Sequence, residues 1–90
     1  MNVVVRYFAQ LRQDAGRAYE RVRLPDPCSV ADLVKHLTLA NERLRGVLLD
    51  GDGEVRASLL VFVGDEQSGK QRTLNDGDEV TLMTPIAGGA

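Results

Sequence analysis

The sequence predicts an α+β domain in which a mixed sheet of four to five strands packs on one main helix. The chain has 90 residues, of which 43% are apolar, and a chain of this length can bury one thin core. Segments with strand-like alternation lie on both sides of one segment with helical spacing. The resulting order is β-β-α-β-β, and one sheet wrapped over one helix is the simplest fold that buries the apolar faces of all these elements.

The first two predicted strands form a hairpin. Residues 3–8 are mostly β-branched or aromatic and alternate between two faces, which is typical of a half-buried strand. A second alternation at 18–24 follows a predicted turn at 13–16, where Gly16 can adopt a positive φ. The Pro-Asp-Pro sequence at 25–27 then ends the sheet, because proline cannot donate a ladder hydrogen bond.

One main helix is predicted after the hairpin. Ser29 is a suitable N-cap, and Asp32 in the first turn complements the helix dipole. Apolar residues follow with helical spacing on one face: Val30, Leu33, Val34 and Leu37. The helix is expected to fray at 38–40, after which Asn41 can cap a short second helical turn. That turn would direct three apolar residues inward: Leu44, Val47 and Leu48.

Two more strands are predicted in the second half of the chain. Residues 59–63 are apolar on both faces, and residues 79–83 alternate with Val80 and Leu82 directed inward. The polar residues 64–72 between them are predicted to form a loop. Because the first and last strands are both strongly apolar, they are expected to pair in the centre of the sheet.

The strand at 59–63 has more apolar surface than one core face requires. One face should pack on the helix, and Leu60 and Phe62, or their neighbours if the register is opposite, should form an open apolar patch near the C-terminus. Such a patch would bind a partner protein. The alternative is that the segment 41–55 covers this face, and the sequence favours neither.

Composition argues against several classes of function. The formal charge is −2 and the basic residues are scattered, whereas nucleic-acid binding requires a basic stripe. Cys28 is the single cysteine, so an internal disulfide is impossible and a thiolate metal site lacks ligands. Charge interrupts the apolar residues near the start, so neither a signal peptide nor a membrane span is expected there. We therefore expect a cytoplasmic protein that binds no metal, membrane or nucleic acid.

Two loop motifs resemble ligand sites but lack essential residues. Residues 64–70 have the glycine and lysine spacing of a phosphate-binding loop, but Gln71 occupies the position of the Ser or Thr that would hold magnesium. Residues 50–54 alternate like the start of a calcium loop, yet Val55 and Val61 replace the required glycine and the closing glutamate. Both segments are predicted to be solvated turns.

Two single side chains are candidate reactive groups. His36 lies beside the apolar stripe of the helix without a nucleophile at a suitable spacing, which favours a surface histidine. Cys28 precedes a helix N-terminus, where the dipole can lower the pKa of a thiol. Without a partner residue, however, a quiet thiol is the favoured interpretation.

The C-terminal residues 85–90 are predicted to form a tail outside a domain at 1–84. From Pro85 to Gly89 an extended chain reaches about 13–14 Å. Gly88 and Gly89 have no Cβ, so their backbone can pass through a slot too narrow for a side chain. Considered alone, the tail is more typical of a frayed end of small residues.

Four segments together resemble the MoaD/ThiS family of ubiquitin-like sulfur carriers. They are Phe-Ala-Gln-Leu-Arg at 8–12, Ser-Val-Ala-Asp-Leu at 29–33, Asp-Gly-Asp-Glu-Val at 76–80 and Pro-Ile-Ala-Gly-Gly at 85–89. None is specific alone, but their order and distances are typical of the family. The resemblance implies that residues 1–84 form a β-grasp roll and that residues 85–90 are a flexible tail.

The resemblance also implies a carrier cycle centred on Gly89. An E1-like adenylyltransferase of the MoeB/ThiF type would use ATP and magnesium to adenylate the Gly89 carboxylate, and a sulfur donor would convert it to a thiocarboxylate. Pro85, Ile86, Ala87 and Gly88 would thread the enzyme's slot. The sulfur would serve the synthesis of cysteine, homocysteine or another sulfur metabolite. The chain would be a carrier without bound cofactor, not an enzyme.

Ala90 departs from the family pattern, in which the reactive form ends at the second glycine. A metal-dependent JAMM-type peptidase would cleave between Gly89 and Ala90, unless Ala90 is a cloning remnant. Three alternatives to the free carrier remain. The chain could be the small subunit of molybdopterin synthase, docked on the large subunit; a ubiquitin-like modifier; or a non-covalent β-grasp interaction module.

Overall fold

The computed structural model describes residues 1–85. Within them, five strands form one sheet, and three helices connect and cover the strands. The elements are β1 (Asn2–Tyr7), α1 (Gln10–Ala15), β2 (Tyr19–Arg23), α2 (Val30–Ala40), α3 (Glu42–Leu48), β3 (Leu60–Val63), β4 (Glu66–Ser68) and β5 (Glu79–Met83). The strand order is β2-β1-β5-β3-β4. β1 and β5 are parallel, and the other neighbouring pairs are antiparallel. The predicted hairpin and the predicted central pairing of the first and last strands are therefore both confirmed.

The core lies between one face of the sheet and the helices. In β1 and β5 every second residue is buried: Val3, Val5, Tyr7, Val80 and Leu82. The four apolar residues predicted for the main helix face them and are at most 2% exposed. Burying an aliphatic side chain of this size contributes roughly 1.5–3 kcal/mol. The apolar residues that recur every second position in the strands thus pack against those that recur every 3.6 positions in α2.

Both predicted helix caps are confirmed. The Ser29 hydroxyl accepts the Asp32 amide at 3.1 Å, and the Asp32 carboxylate accepts the Ser29 amide at 3.0 Å. This reciprocal pair is a capping box, which satisfies two otherwise unpaired amides. The Asn41 side chain accepts the Arg43 amide at 3.1 Å and begins α3. Of the three residues predicted to point inward from this helix, Leu44 and Leu48 are buried, and Val47 is half-buried against the core.

Two short elements were not predicted. The connection between β1 and β2 contains α1, where a turn at 13–16 was expected; Leu11 and Ala15 are buried one helical turn apart. Gly16 has the predicted positive φ, 77°, but it ends α1, and its amide donates to the carbonyls of Arg12 and Gln13. Six residues without a side-chain N-cap carry too little periodicity to be recognised from sequence. Likewise, β4 occupies part of the predicted loop at 64–72.

Tyr7 is a core residue that carries a polar group. Its side chain is fully buried, and its hydroxyl donates to the Glu20 carboxylate at 2.5 Å. Arg17 lies 3.7 Å from the other oxygen of that carboxylate. Burial, reinforced by Glu20, raises the pKa of Tyr7 well above its ordinary value. The hydroxyl therefore remains a donor, which joins β1 to the edge strand β2.

Candidate functional site

The C-terminal residues follow β5, one of the strands that are paired on both sides. β5 pairs with β1 on one side and with β3 on the other. Its inward residues Val80 and Leu82 are completely buried. Thr84 and Pro85 follow directly and are the last described residues. The residues assigned to the tail chemistry and to cleavage lie outside the described residues: Ile86, Ala87, Gly88, Gly89 and Ala90.

The Asp-Gly-Asp-Glu-Val segment fixes the start of β5. The carboxylates of Asp76 and Asp78 accept the amides of Asn2 at 2.7 Å and Asn75 at 2.8 Å. Gly77 has a φ of 87°, and its amide donates to the Asn2 carbonyl at 2.7 Å. These acidic residues therefore hold a turn against β1. The motif is structural, since it aligns the parallel pair from which the tail departs.

An apolar patch lies on the outer face of the sheet, opposite the helices. Leu60 and Phe62 are half-buried there, whereas the alternate residues of β3 are buried in the core. Leu60 pairs with Met83, which is also half-buried. Phe8, 42% exposed, follows β1 and donates its amide to the Leu82 carbonyl at 3.1 Å, beside Met83. We call Phe8, Leu60, Phe62 and Met83 the apolar sheet patch.

The apolar sheet patch lies at the end of β5 from which the tail leaves, because Met83 is the last residue of that strand. The segment 41–55 does not lie over it. α3 packs on α1 and α2 and buries Leu44 and Leu48 in the core, on the helical side of the sheet. Leu60 and Phe62 therefore occupy the open face, in the first of the two registers considered. Their role in binding a partner stays a prediction.

A groove of about 610 Å³ lies beside the base of the tail, on the helical side. Its lining comes from α1 and the residue before it, from α3 and the segment after it, and from the residues after β5: Ala9, Gln10, Asp14, Gly46, Val47, Arg56, Thr84 and Pro85. The Arg56 guanidinium donates to the Gly46 carbonyl at 2.9 and 3.3 Å. This contact ties the segment after α3 to that helix at the side of the groove.

The other candidate side chains occupy structural or surface positions. Cys28 is 3% exposed, and burial raises the pKa of its thiol, the opposite of what a reactive thiolate requires. His36 is exposed on α2, as predicted. The Asp50 carboxylate accepts the amides of Asp52 and Glu54 and so closes its own turn. Within residues 1–85, no three His, Cys, Asp or Glu side chains cluster as metal ligands would, and no helix could cross a membrane.

Sequence reasoning found half of the apolar sheet patch and missed the rest. Phe8 and Met83 were not predicted as members, because their proximity to Leu60 depends on the order β1-β5-β3. The alternation at 3–8 and 79–83 indicated two strands, but only the strand order and register place the four side chains on one face of the sheet. The groove was also missed, since it depends on the unpredicted α1.

Comparison with known proteins extends the similarity to the whole chain. The model of the ThiS family matches residues 5–89. Small archaeal modifier protein 3 of Haloferax volcanii is 31% identical over 93 residues, which cover 99% of this chain and 100% of that protein. The crystal structure of SAMP1 from Haloferax volcanii superposes with a TM-score of 0.91 at 27% identity, covering 99% of this chain and 100% of that one. A putative molybdopterin converting factor, subunit 1, from Pyrococcus furiosus gives 0.77 at 30% identity, covering 96% and 99%.

Proposed function

Because this chain belongs to the ThiS family of ubiquitin-like sulfur carriers and modifiers, we propose that it acts through its C-terminal carboxyl group, as a carrier of sulfur. The fold is the β-grasp fold of its structural relatives, with a mixed five-stranded sheet. Members of this family are generally not catalysts. The reactive group of the proposal is the carboxylate of Gly89, exposed by removal of Ala90.

The proposed cycle follows from the chemistry of a carboxylate. A carboxylate oxygen is a poor leaving group, so an E1-like enzyme first joins the Gly89 carboxylate to the α-phosphate of ATP and releases pyrophosphate. A sulfur donor then attacks the acyl-adenylate, AMP leaves, and the chain carries a thiocarboxylate. A thiocarboxylate is ionised and nucleophilic at neutral pH and can pass its sulfur to an acceptor. The ATP, magnesium and catalytic side chains belong to the partner.

The observation that carries this proposal is where the tail starts. β5 is held by strands on both sides and ends beside the apolar sheet patch. A partner that binds the patch would therefore hold the base of the tail at a fixed position. From Pro85, about 13–14 Å of extended chain reaches Gly89. In this proposal the partner recognises the chain through the apolar sheet patch, and the two glycines give a backbone narrow enough to enter a closed active site.

Ala90 gives the proposal its sharpest test. With Ala90 present, the carboxylate lies one residue beyond the adenylation position and a methyl group enters a slot suited to glycine. Incubation of the full chain and of the chain ending at Gly89 with the cognate E1-like enzyme and ATP should yield adenylate only from the shorter chain. Equal adenylation of both would refute the masking role of Ala90, and adenylation of neither would refute the carrier function. A JAMM-type metallopeptidase is the proposed source of the shorter chain.

A second candidate function is conjugation to other proteins, because similar proteins are named small archaeal modifier proteins. The activated Gly89 would then be attacked by a lysine amine instead of a sulfur donor. Mass spectrometry of the protein from its own cells separates the two functions. Replacement of a terminal oxygen by sulfur indicates the carrier, and an isopeptide-linked adduct indicates the modifier.

The relative named as a molybdopterin converting factor subunit favours a third role, as the small subunit of a molybdopterin synthase. In that case a large subunit would hold the chain stably with the tail in its active site. Affinity purification under mild conditions would recover that subunit in equal amount. Recovery of a sulfur-accepting enzyme of amino-acid synthesis would support the free carrier.

A further inference from the structure

The edge strand β2 leaves half of its backbone hydrogen-bonding groups without a partner. The Tyr7 amide donates to the Ala18 carbonyl and the Leu24 amide donates to the Met1 carbonyl, both at 2.8 Å. In an antiparallel ladder the bonded residues alternate, so these end points place the bonds at even-numbered residues of β2. The amides and carbonyls of Tyr19, Arg21 and Arg23 therefore point away from β1, along an edge that another strand could extend.

The side chains of β2 differ on its two faces. Tyr19, Arg21 and Arg23 are exposed on the outer face of the sheet, whereas Glu20 is half-buried and Val22 is buried on the inner face. Arg21 and Arg23 have no ion pair within residues 1–85, unlike the neighbouring Arg6, which binds Glu79 at 2.9 Å. The outer side of the edge thus presents two uncompensated positive charges beside unpaired amides.

The inner side of the same edge continues into an open depression whose surface is mainly apolar. The depression, of about 200 Å³, lies where β2 ends, between the following residues and α2: Leu24, Pro25, Cys28, Asp32, Lys35, His36 and Leu39. Leu39 is 84% exposed on its rim. A leucine side chain that is this exposed contributes little to the core. An apolar side chain of a partner that entered the depression would bury it.

We propose that β2 binds an extended segment of a partner protein, which adds to the sheet as a sixth strand. Its backbone would pair with Tyr19, Arg21 and Arg23. Because side chains alternate across a strand, residues on its outer face would lie beside Arg21 and Arg23, and residues on its inner face would lie toward Leu39. The partner segment is therefore one that alternates acidic and β-branched apolar residues.

A second copy of this chain fits the same edge poorly. Antiparallel pairing of two β2 strands centred on Arg21 would place arginine directly opposite arginine, and like charges in that position are destabilising. The same charges favour an acidic strand, so the edge is selective by charge. The site is also separate from the apolar sheet patch, because β1 and β5 lie between β2 and β3. Its occupation is compatible with activation of the tail and does not depend on it.

A labelled peptide tests the proposal directly. The probe is a fluorescein-labelled hexapeptide that alternates Glu and Val, and its control is a hexapeptide of the same composition with the Glu and Val residues in separate blocks. Fluorescence anisotropy should show binding of the alternating peptide to the full chain at low salt, with weaker binding of the block peptide. The double variant Arg21→Glu with Arg23→Glu should bind it about tenfold more weakly. The matched control, Arg43→Glu with Arg45→Glu on the exposed side of α3, should bind it like the unchanged chain.

Hydrogen exchange identifies the edge that is used. Addition of the alternating peptide should slow exchange of the Tyr19, Arg21 and Arg23 amides and leave the amides of β4, the opposite edge strand, unchanged. Absence of binding overturns the proposal, as does equal loss of affinity in the control double variant or protection at β4 instead of β2. Protection of the three β2 amides in a dimer of the chain alone would also overturn it, because a second copy would then be the occupant. None of these results bears on adenylation of Gly89.

Discussion

Replacement of Tyr7 by phenylalanine should destabilise the protein at neutral pH and should do so much less at alkaline pH. Tyr7 is fully buried, and its hydroxyl donates to the Glu20 carboxylate. A hydrogen bond to a charged acceptor contributes about 1.5–3 kcal/mol. Because Glu20 is only half-buried and keeps Arg17 nearby, we expect a loss at pH 7 of about 2 kcal/mol, near the lower part of that range.

The alkaline part of this prediction follows from proton linkage. In the unfolded chain Tyr7 ionises near its ordinary pKa of about 10, whereas burial raises the pKa of Tyr7 in the folded protein well above that value. Above pH 10 the unfolded state therefore binds fewer protons than the folded state, and stability falls as pH rises. At pH 11 the unchanged protein should lose about 1.4 kcal/mol through this group. Since phenylalanine does not ionise, the difference between the two proteins should shrink from about 2 to about 0.6 kcal/mol.

Urea unfolding at pH 7 and pH 11, followed by circular dichroism, measures both differences. The control is Tyr19→Phe, because Tyr19 is 58% exposed and donates no side-chain hydrogen bond within residues 1–85. That variant should differ from the unchanged protein by no more than about 0.5 kcal/mol at both pH values. A Tyr7→Phe difference that is equally large at pH 11 would refute the description of Tyr7 as a buried phenol that stays protonated.

Three further predictions concern the patch, the helix cap and the core. Phe62→Asp should abolish binding to the activating enzyme in a pull-down while changing the free energy of unfolding by less than about 1 kcal/mol. Its control, Arg43→Asp on the exposed side of α3, should bind normally, and unfolding of the Phe62 variant would show instead that this face belongs to the core. Hydrogen bonds from Ser29 lower the pKa of Asp32, so the capping box should stabilise the fold above about pH 4 and lose that contribution as pH falls through the lowered value. Asp32→Asn should therefore reduce the loss of stability below about pH 4, measured by urea unfolding. An unchanged pH dependence would contradict the assignment. Leu33→Ala, at a position with no exposed surface, should cost about 3–5 kcal/mol in the same assay, and a cost below about 1 kcal/mol would contradict its place in the core.

Local patterns in the sequence were sufficient for the elements that have a strong period or a cap. The alternation of β1 and β5, the apolar stripe of α2 and the Ser29 cap each depend on residues within one turn or one strand. The family resemblance likewise depended on short segments in a fixed order, and the family is confirmed. Such signals act over a few residues, so they can be read before the fold is known. The chemistry assigned to Gly89 stays a prediction.

The short elements and the surfaces were decided by tertiary structure alone. α1 and β4 are too short for their own periodicity, and they form because Leu11 enters the core and β4 pairs with β3. The apolar sheet patch exists because the register places Leu60 opposite Met83. The unpaired groups of Tyr19, Arg21 and Arg23 exist because β2 is an edge strand. Pairing partners are distant in the chain, so no local pattern specifies which side chains share a surface or which amides face solvent.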